Sequence, residues 1–155
     1  MIIPKKLRYA VVVSVIIVSV LFVPVKCFVV RVQDNSLIFI DIAGNDDVVA
    51  LSHINSIYDE RVNEILKVKG FFLQLADVET SSYGIREYYG ITEGIQKRQW
   101  NRIRFYNSTD RVFSLAINNN DIRLMQYRDS YISIEVSRYL FAGYLLRKIA
   151  LKLKI

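Results

Sequence analysis

One histidine, His53, and one cysteine, Cys27, are the only imidazole and thiol in a chain of 155 residues. A zinc site of the usual kind takes four ligands, mostly from His and Cys, so a single chain cannot assemble one here. Ser56, His53 and Asp59 lie close enough in sequence to be drawn as a hydrolytic triad. That chemistry needs the serine on a strained turn that presents its hydroxyl, and no such turn pattern surrounds Ser56. His53 is expected instead on a half-buried strand with its ring hydrogen-bonded. Asp41, Asn45, Asp46 and Asp47 offer hard oxygens of the kind calcium prefers, but their spacing is not that of an EF-hand loop, and Asp and Asn crowd into turns for their own reasons. No catalytic residue, metal site or cofactor is assigned. Glu64 stands out more: it alternates with Val62 and Leu66 on one face of an apolar stretch. A partly buried carboxylate needs a partner or a raised pKa. An ion pair or a backbone hydrogen bond tying the sheet to the Ser82–Gly84 turn is the expected solution. Asn107-Ser108-Thr109 is an acceptor pattern for N-glycosylation.

These residues need a scaffold, and its first element lies upstream. From Tyr9 to Val25 no charge occurs, and Val, Ile, Leu and Phe fill most positions. A transmembrane helix is expected over residues 7–25 after a cytoplasmic N-terminus of residues 1–6. Nineteen residues at helical rise span roughly 28 Å, close to a bilayer's hydrocarbon core. Lys5, Lys6 and Arg8 precede the run, whereas Lys26 and Arg31 follow it, so the positive-inside bias puts residues 26–137 outside the cytoplasm. No small-residue cleavage site follows the run, which favours an uncleaved signal anchor. Lys26 stands before Cys27 where a lipoprotein would have a small residue. Cys27 is expected at the membrane interface, and no intrachain disulfide can form.

The net charge of +6 belongs to the ends of the chain. Between Cys27 and Ser137 there are 12 Lys and Arg against all 15 Asp and Glu, a net of −3. Lys5, Lys6, Arg8 and Lys26 at one end, with Arg138, Arg147, Lys148, Lys152 and Lys154 at the other, supply the remaining positives. Membrane contact accounts for that placement better than nucleic acid does. The basic, aromatic stretch Lys97, Arg98, Trp100, Arg102, Arg104 and Phe105 reads as a strand, with Ile103 and Phe105 inward and Arg102, Arg104 and Tyr106 outward. No nucleic-acid partner is expected.

Beyond the anchor a period of two dominates. Strands are expected over Phe28–Val32, Leu37–Ile42, Val48–Ile54, Ile57–Val68, Phe71–Val78, Trp100–Tyr106, Val112–Ile117, Asp121–Tyr127 and Tyr131–Val136. Turns fall at Asp34-Asn35, Gly44–Asp47, Lys69-Gly70 and Asn118–Asn120. The glycine- and tyrosine-rich stretch from Thr80 to Gln99 reads as a long structured loop. A mainly β domain results, a small antiparallel sandwich or partly open barrel. The basic tail, residues 138–155, is too short and charged to span a bilayer and is expected as an amphipathic helix on the membrane or on the domain.

Asn55-Ser56-Ile57, Arg61-Val62-Asn63-Glu64, the strand Phe71–Leu75 and Ser82-Tyr83-Gly84 form a series. It resembles the bacterial and archaeal family catalogued as domain of unknown function 1850, over a region from about Ser36 to Val136. The family's histidine stands here as Asn55, with His53 two residues earlier on the same face, and its proline as Arg61. The resemblance implies a small exported or membrane-anchored protein, often found with tripartite transporters of the TAXI type, and no established activity. The expected role is therefore a non-enzymatic accessory or interaction protein, its partners the lipid bilayer and a transporter component or other envelope protein. The alternative is a small-ligand pocket lined by Glu64, Ser56 and the Tyr83–Gly94 loop. His53, Asn55, Ser56, Glu64, Ser82, Tyr83 and Gly84 are the residues on which either role would turn.

Overall fold

The computed structural model describes residues 5–90, 98–110 and 112–153. Strand predominates, in two antiparallel sheets. The four-stranded sheet runs β2 (Leu37–Ile42), β1 (Pro24–Val32), β10 (Ser130–Leu140), β7 (Arg102–Asn107). The six-stranded sheet runs β6 (Gln99–Trp100), β5 (Phe72–Glu79), β4 (Glu60–Lys69), β3 (Val48–Asn55), β8 (Ser114–Ile117), β9 (Asn120–Ile122). One apolar cluster joins Phe28, Val30, Ile132 and Ile134 of the first sheet to Val49, Leu51, Val62 and Leu66 of the second. Alternation sorts each strand: on β1 the even residues enter that cluster, while Cys27 and Val29 point to the opposite face.

That opposite face is covered by helix α3 (Phe141–Leu153), whose Tyr144 packs with Cys27, Val29 and Ile40. The four-stranded sheet is thus sealed on both sides, so Cys27–Val30 is an unbroken buried run rather than an alternating one. Cys27 is fully buried there, not interfacial as the end of the apolar run implied. Its thiol is pushed up to about 11, by burial first and by the nearby Asp41 carboxylate second.

The turn signals are met by left-handed residues. Asn35, Asp46 and Gly70 all have φ near 65°. Asn118 and Asn119, both at positive φ, form the two-residue connection between β8 and β9 that matches the twist of a hairpin.

Several expected boundaries move. Helix α1 occupies Lys5–Leu21, and Pro24 and Val25 already pair with Leu140 and Tyr139 in the sheet, so the anchor does not extend to residue 25. Proline lacks the N–H that would continue the helix. No helix among the described residues is long and apolar enough to cross a membrane. Residues 8–20 of α1 are nevertheless all exposed. The stretch Ile57–Val68 begins its strand only at Glu60, because residues 56–59 are a turn. Trp100–Tyr106 is two strands in two sheets, with Asn101 at the crossing; Ile103 and Phe105 do pack inward and Arg102 and Arg104 outward. Asp121–Tyr127 divides into β9 and a 3-10 turn at Met125–Tyr127. Within Thr80–Gln99, Tyr83–Tyr88 form helix α2, while residues 91–97, Lys97 among them, lie outside the described residues. Arg138–Leu140 belong to β10, and Phe141–Leu153 lie on the domain as α3, while residues 154–155 lie outside the described residues.

A polar knot pins α3 beside its apolar contacts. Lys148 Nζ donates to Asp41 Oδ1 at 2.7 Å and to the Tyr144 hydroxyl at 2.7 Å, and that hydroxyl donates to Asp41 Oδ1 at 3.0 Å. Partial burial alone would raise the Asp41 pKa, but the hydrogen bonds from Lys148, the Ile42 N–H and Tyr144 outweigh it and hold the carboxyl below its ordinary range. A depressed carboxylate stabilises the fold above its unfolded pKa and loses that contribution as pH falls through the folded value. Asp41→Asn is therefore expected to flatten the acid limb of urea midpoints below about pH 4, with a cost near neutrality of only about 1 kcal/mol. The cost is small because the lysine and carboxylate side chains are 37% and 39% exposed. A second expectation concerns Cys27: a thiol this buried reacts with a maleimide at pH 8 only in urea, which a mass shift under native and denaturing conditions reports.

Candidate functional site

Asn55, Ser56, Ser82, Tyr83 and Gly84 lie at one end of the six-stranded sheet, with Glu64 further along β4. β2 ends at Ile42 opposite Cys27, near where α1 and α3 leave the first sheet, so β3 starts at that end and carries the chain eight residues away. The turn at its far tip is built by Asn55, whose Oδ1 accepts the N–H groups of Ile57 at 2.9 Å and Tyr58 at 3.4 Å. That is the Asx arrangement for which asparagine is suited. Asp59, at φ 51°, closes the turn.

Helix α2 docks against this tip. Ser82 is its N-cap, extended in backbone, with Oγ accepting the Ile85 N–H at 3.4 Å. Ile85 is buried and fixes the helix to the core. Gly84 admits the Tyr58 ring: a Cβ at Gly84 would lie 2.7 Å from the Tyr58 hydroxyl oxygen. Ser81 Oγ donates to Glu60 Oε2 at 2.6 Å across the same seam. Several apolar side chains of the turn and of α2 are left exposed. Ile57 is 82% exposed, Tyr83 70% and Tyr88 72%, with Ile54 and Tyr58 about half exposed beside them.

Glu64 lies on the core face between Leu51 and Val78 of the neighbouring strands. Its Oε1 accepts the Tyr89 hydroxyl at 2.5 Å. Burial, and then this acceptor, raise the Tyr89 phenol well above its ordinary range, so it stays a donor. The Arg98 guanidinium stands 5.9 Å from both the Tyr88 and Tyr89 rings. The expected ion pair or backbone hydrogen bond between Glu64 and the Ser82–Gly84 turn is replaced by a different contact: the carboxylate accepts from the Tyr89 phenol at the far end of α2.

His53 and Ser56 are not brought into one site. The His53 ring stacks on Phe113, centroids 5.0 Å apart, while Ser56 and Asp59 sit in the exposed turn. Glu64, Ser56 and Tyr83 likewise do not converge: the first faces inward under Tyr89, the others face solvent. The Asp-rich turn is spent on structure. Asp41 holds Lys148, Asn45 accepts from Lys26, Asp46 pairs with Lys69, and Asp47 accepts the Gly44 N–H. Among the described residues, no group of three or more His, Cys, Asp or Glu could hold a metal ion. Arg102 pairs with Glu135, and Arg104 lies 4.2 Å over the Tyr131 ring.

Asn107 reverses its motif reading. It is completely buried, its Nδ2 donating to the carbonyls of Leu124 at 3.0 Å and Tyr127 at 3.1 Å while its Oδ1 accepts the Phe113 N–H at 3.1 Å. An amide with both hydrogens engaged inside the core cannot carry a glycan in the folded domain. The residue instead joins the end of β7 to two loops. Nothing in Asn-Ser-Thr distinguishes such a clamp from a surface sequon. Asn107→Ala should lower stability by about 3 kcal/mol, since it strands a buried N–H and two carbonyls. Chemical denaturation measures this, and the intact mass after expression in a glycosylating host should be that of the bare chain.

No family model, curated protein or solved structure matches the chain.

Proposed function

We propose that this protein is a membrane-anchored, non-enzymatic interaction module that displays the Ile57–Tyr83–Tyr88 surface to a protein partner of the cell envelope. The observation that carries the reading is the exposure of Ile54, Ile57 and Tyr58 at the turn, together with that of Tyr83 and Tyr88 on the helix that docks against it. Apolar patches of this kind on a folded surface mark interaction sites, and tyrosine gives contact area at low entropic cost. The tip is held by Asn55, Ser81 and the Tyr58–Gly84 contact, so a partner would meet a preorganised surface. Glu64 weighs against a ligand pocket, because Tyr89 already stands over its carboxylate and donates to Oε1.

Helix α1, continued by the exposed Phe22 and Val23, supplies the anchor, with its N-terminus cytoplasmic and the domain outside. Its support is the exposure of an apolar shaft that water would not favour. A component of a solute transporter is the partner class that the family resemblance implies.

A photo-crosslinking residue in place of Tyr88 should capture a discrete protein in intact cells, whereas the same residue at Tyr131, on another face, should not. The triple change Ile57→Ser, Tyr83→Ser, Tyr88→Ser should abolish capture from a crosslinker at Tyr58 and weaken binding of the recovered partner at least thirtyfold, with the thermal midpoint retained. Equal capture at both positions, or none at Tyr88, overturns the reading. Protease protection in sealed vesicles checks the orientation.

A further inference from the structure

Helix α3 has two faces, and its contacts with the domain use only one. Tyr144, Phe141, Leu145 and Leu151 pack toward Cys27, Val29 and Ile40. Leu146, Ile149 and Leu153 recur at helical spacing on the other side, each more than half exposed. Helical spacing puts Lys152 at one margin of this stripe and Arg147, its guanidinium 5.2 Å over the Tyr139 ring, towards the other, and no acidic residue follows Glu135 in the sequence. Register sets where the helix stands. Pro24 pairs with Leu140 and the Phe141 N–H donates to the Val23 carbonyl at 2.9 Å, so α1 and α3 leave the sheet side by side.

Resting on the anchoring role of α1, we infer that the outer face of α3 lies on the surface of an anionic phospholipid bilayer, as a second and peripheral membrane contact. An amphipathic helix with aliphatic side chains on one face and cations at its margins suits the headgroup–acyl boundary. Each cation near an anionic surface adds attraction that salt screens. The helix is also pinned to the domain through Asp41, so its seating fixes the tilt of the sheets, and with them the direction in which the distal aromatic tip points.

The test uses the full chain reconstituted into phosphatidylcholine vesicles, with or without phosphatidylglycerol, that carry nitroxide-labelled lipid. An environment-sensitive fluorophore is attached at Ile149→Cys, Leu153→Cys or Val13→Cys; the parent chain, its one thiol buried, controls for background. The expected result is blue-shifted emission and lipid quenching at positions 149 and 153 with phosphatidylglycerol, lost without it, in high salt, or in the pair Arg147→Gln, Lys152→Gln. Aqueous, unquenched emission at 149 and 153 alongside quenching at 13 overturns this inference and leaves the anchor standing. No quenching at 13 removes the anchor as well. Equal quenching in both lipid mixtures overturns the anionic preference. A blue shift that lipid does not quench and that grows with protein concentration assigns the face to a second copy and equally overturns the inference.

Discussion

The nine-residue antiparallel register between β1 and β10 is the constraint from which the rest of the architecture follows. It joins the first strand of the chain to the last, at the largest loop closure the domain contains. Such a pairing closes late and at an entropic cost, and is stable only if the joined strands bury much apolar surface. They do, on both faces: Phe28 and Val30 meet the six-stranded sheet, Cys27 and Val29 meet α3. The C-terminal helix is therefore a structural layer, without which half of β1 would face water.

Much of this was legible residue by residue. Asn118 and Asn119 announced their hairpin because few other residues adopt two left-handed conformations in succession. Alternation located β3 and β5 to within a residue or two, since their apolar residues lie mainly on the core side, whereas β2, apolar towards both the core and α3, was bounded by its turns. Where alternation failed, the cause was tertiary. Trp100 and Arg102 share a period but not a sheet, because what redirects the chain at Asn101 is the pairing of Trp100 with Leu73 and of Arg102 with Glu135. The shift between Ile65 and Leu66 against β5 adds one residue, Ala76, to a strand whose pattern otherwise looks regular. Helix α2 hid among glycines because its stability comes from one cap, Ser82, and one buried side chain, Ile85, rather than from six residues of helical propensity.

The candidate site shows the same division. That Glu64 needed a partner followed from its place between Val62 and Leu66, and that need is a matter of desolvation alone. Which group would answer it did not follow, since Tyr89 lies 25 residues on and reaches Glu64 only after α2 has docked. Ser82 and Gly84 stood out in sequence only as parts of a turn; Ser82 proves to cap α2, and the function of Gly84 is set by Tyr58, a neighbour invisible along the chain. Asn107 is the sharpest case: a three-residue pattern promised exposure, while three backbone groups from distant loops demanded burial.

Charge and apolar exposure together give the molecule a direction. Once α1 and α3 are set aside, the sheets carry a slight negative charge, while cations stand at the start of α1, at Lys26 and Arg138 beside the helix junction, and along α3. The exposed aliphatic shaft of α1 ends beside the start of α3, whose outer stripe is also exposed. The aromatic tip lies a strand's length away, reached by β3 and held by Asn55 and the Gly84 contact. A chain that needed only a fold would have no reason to leave two apolar surfaces bare and keep them apart. Their separation by a sheet sealed on both faces is the arrangement required if one end is to meet lipid while the other stays clear of it, stiff enough that fixing the first end also aims the second.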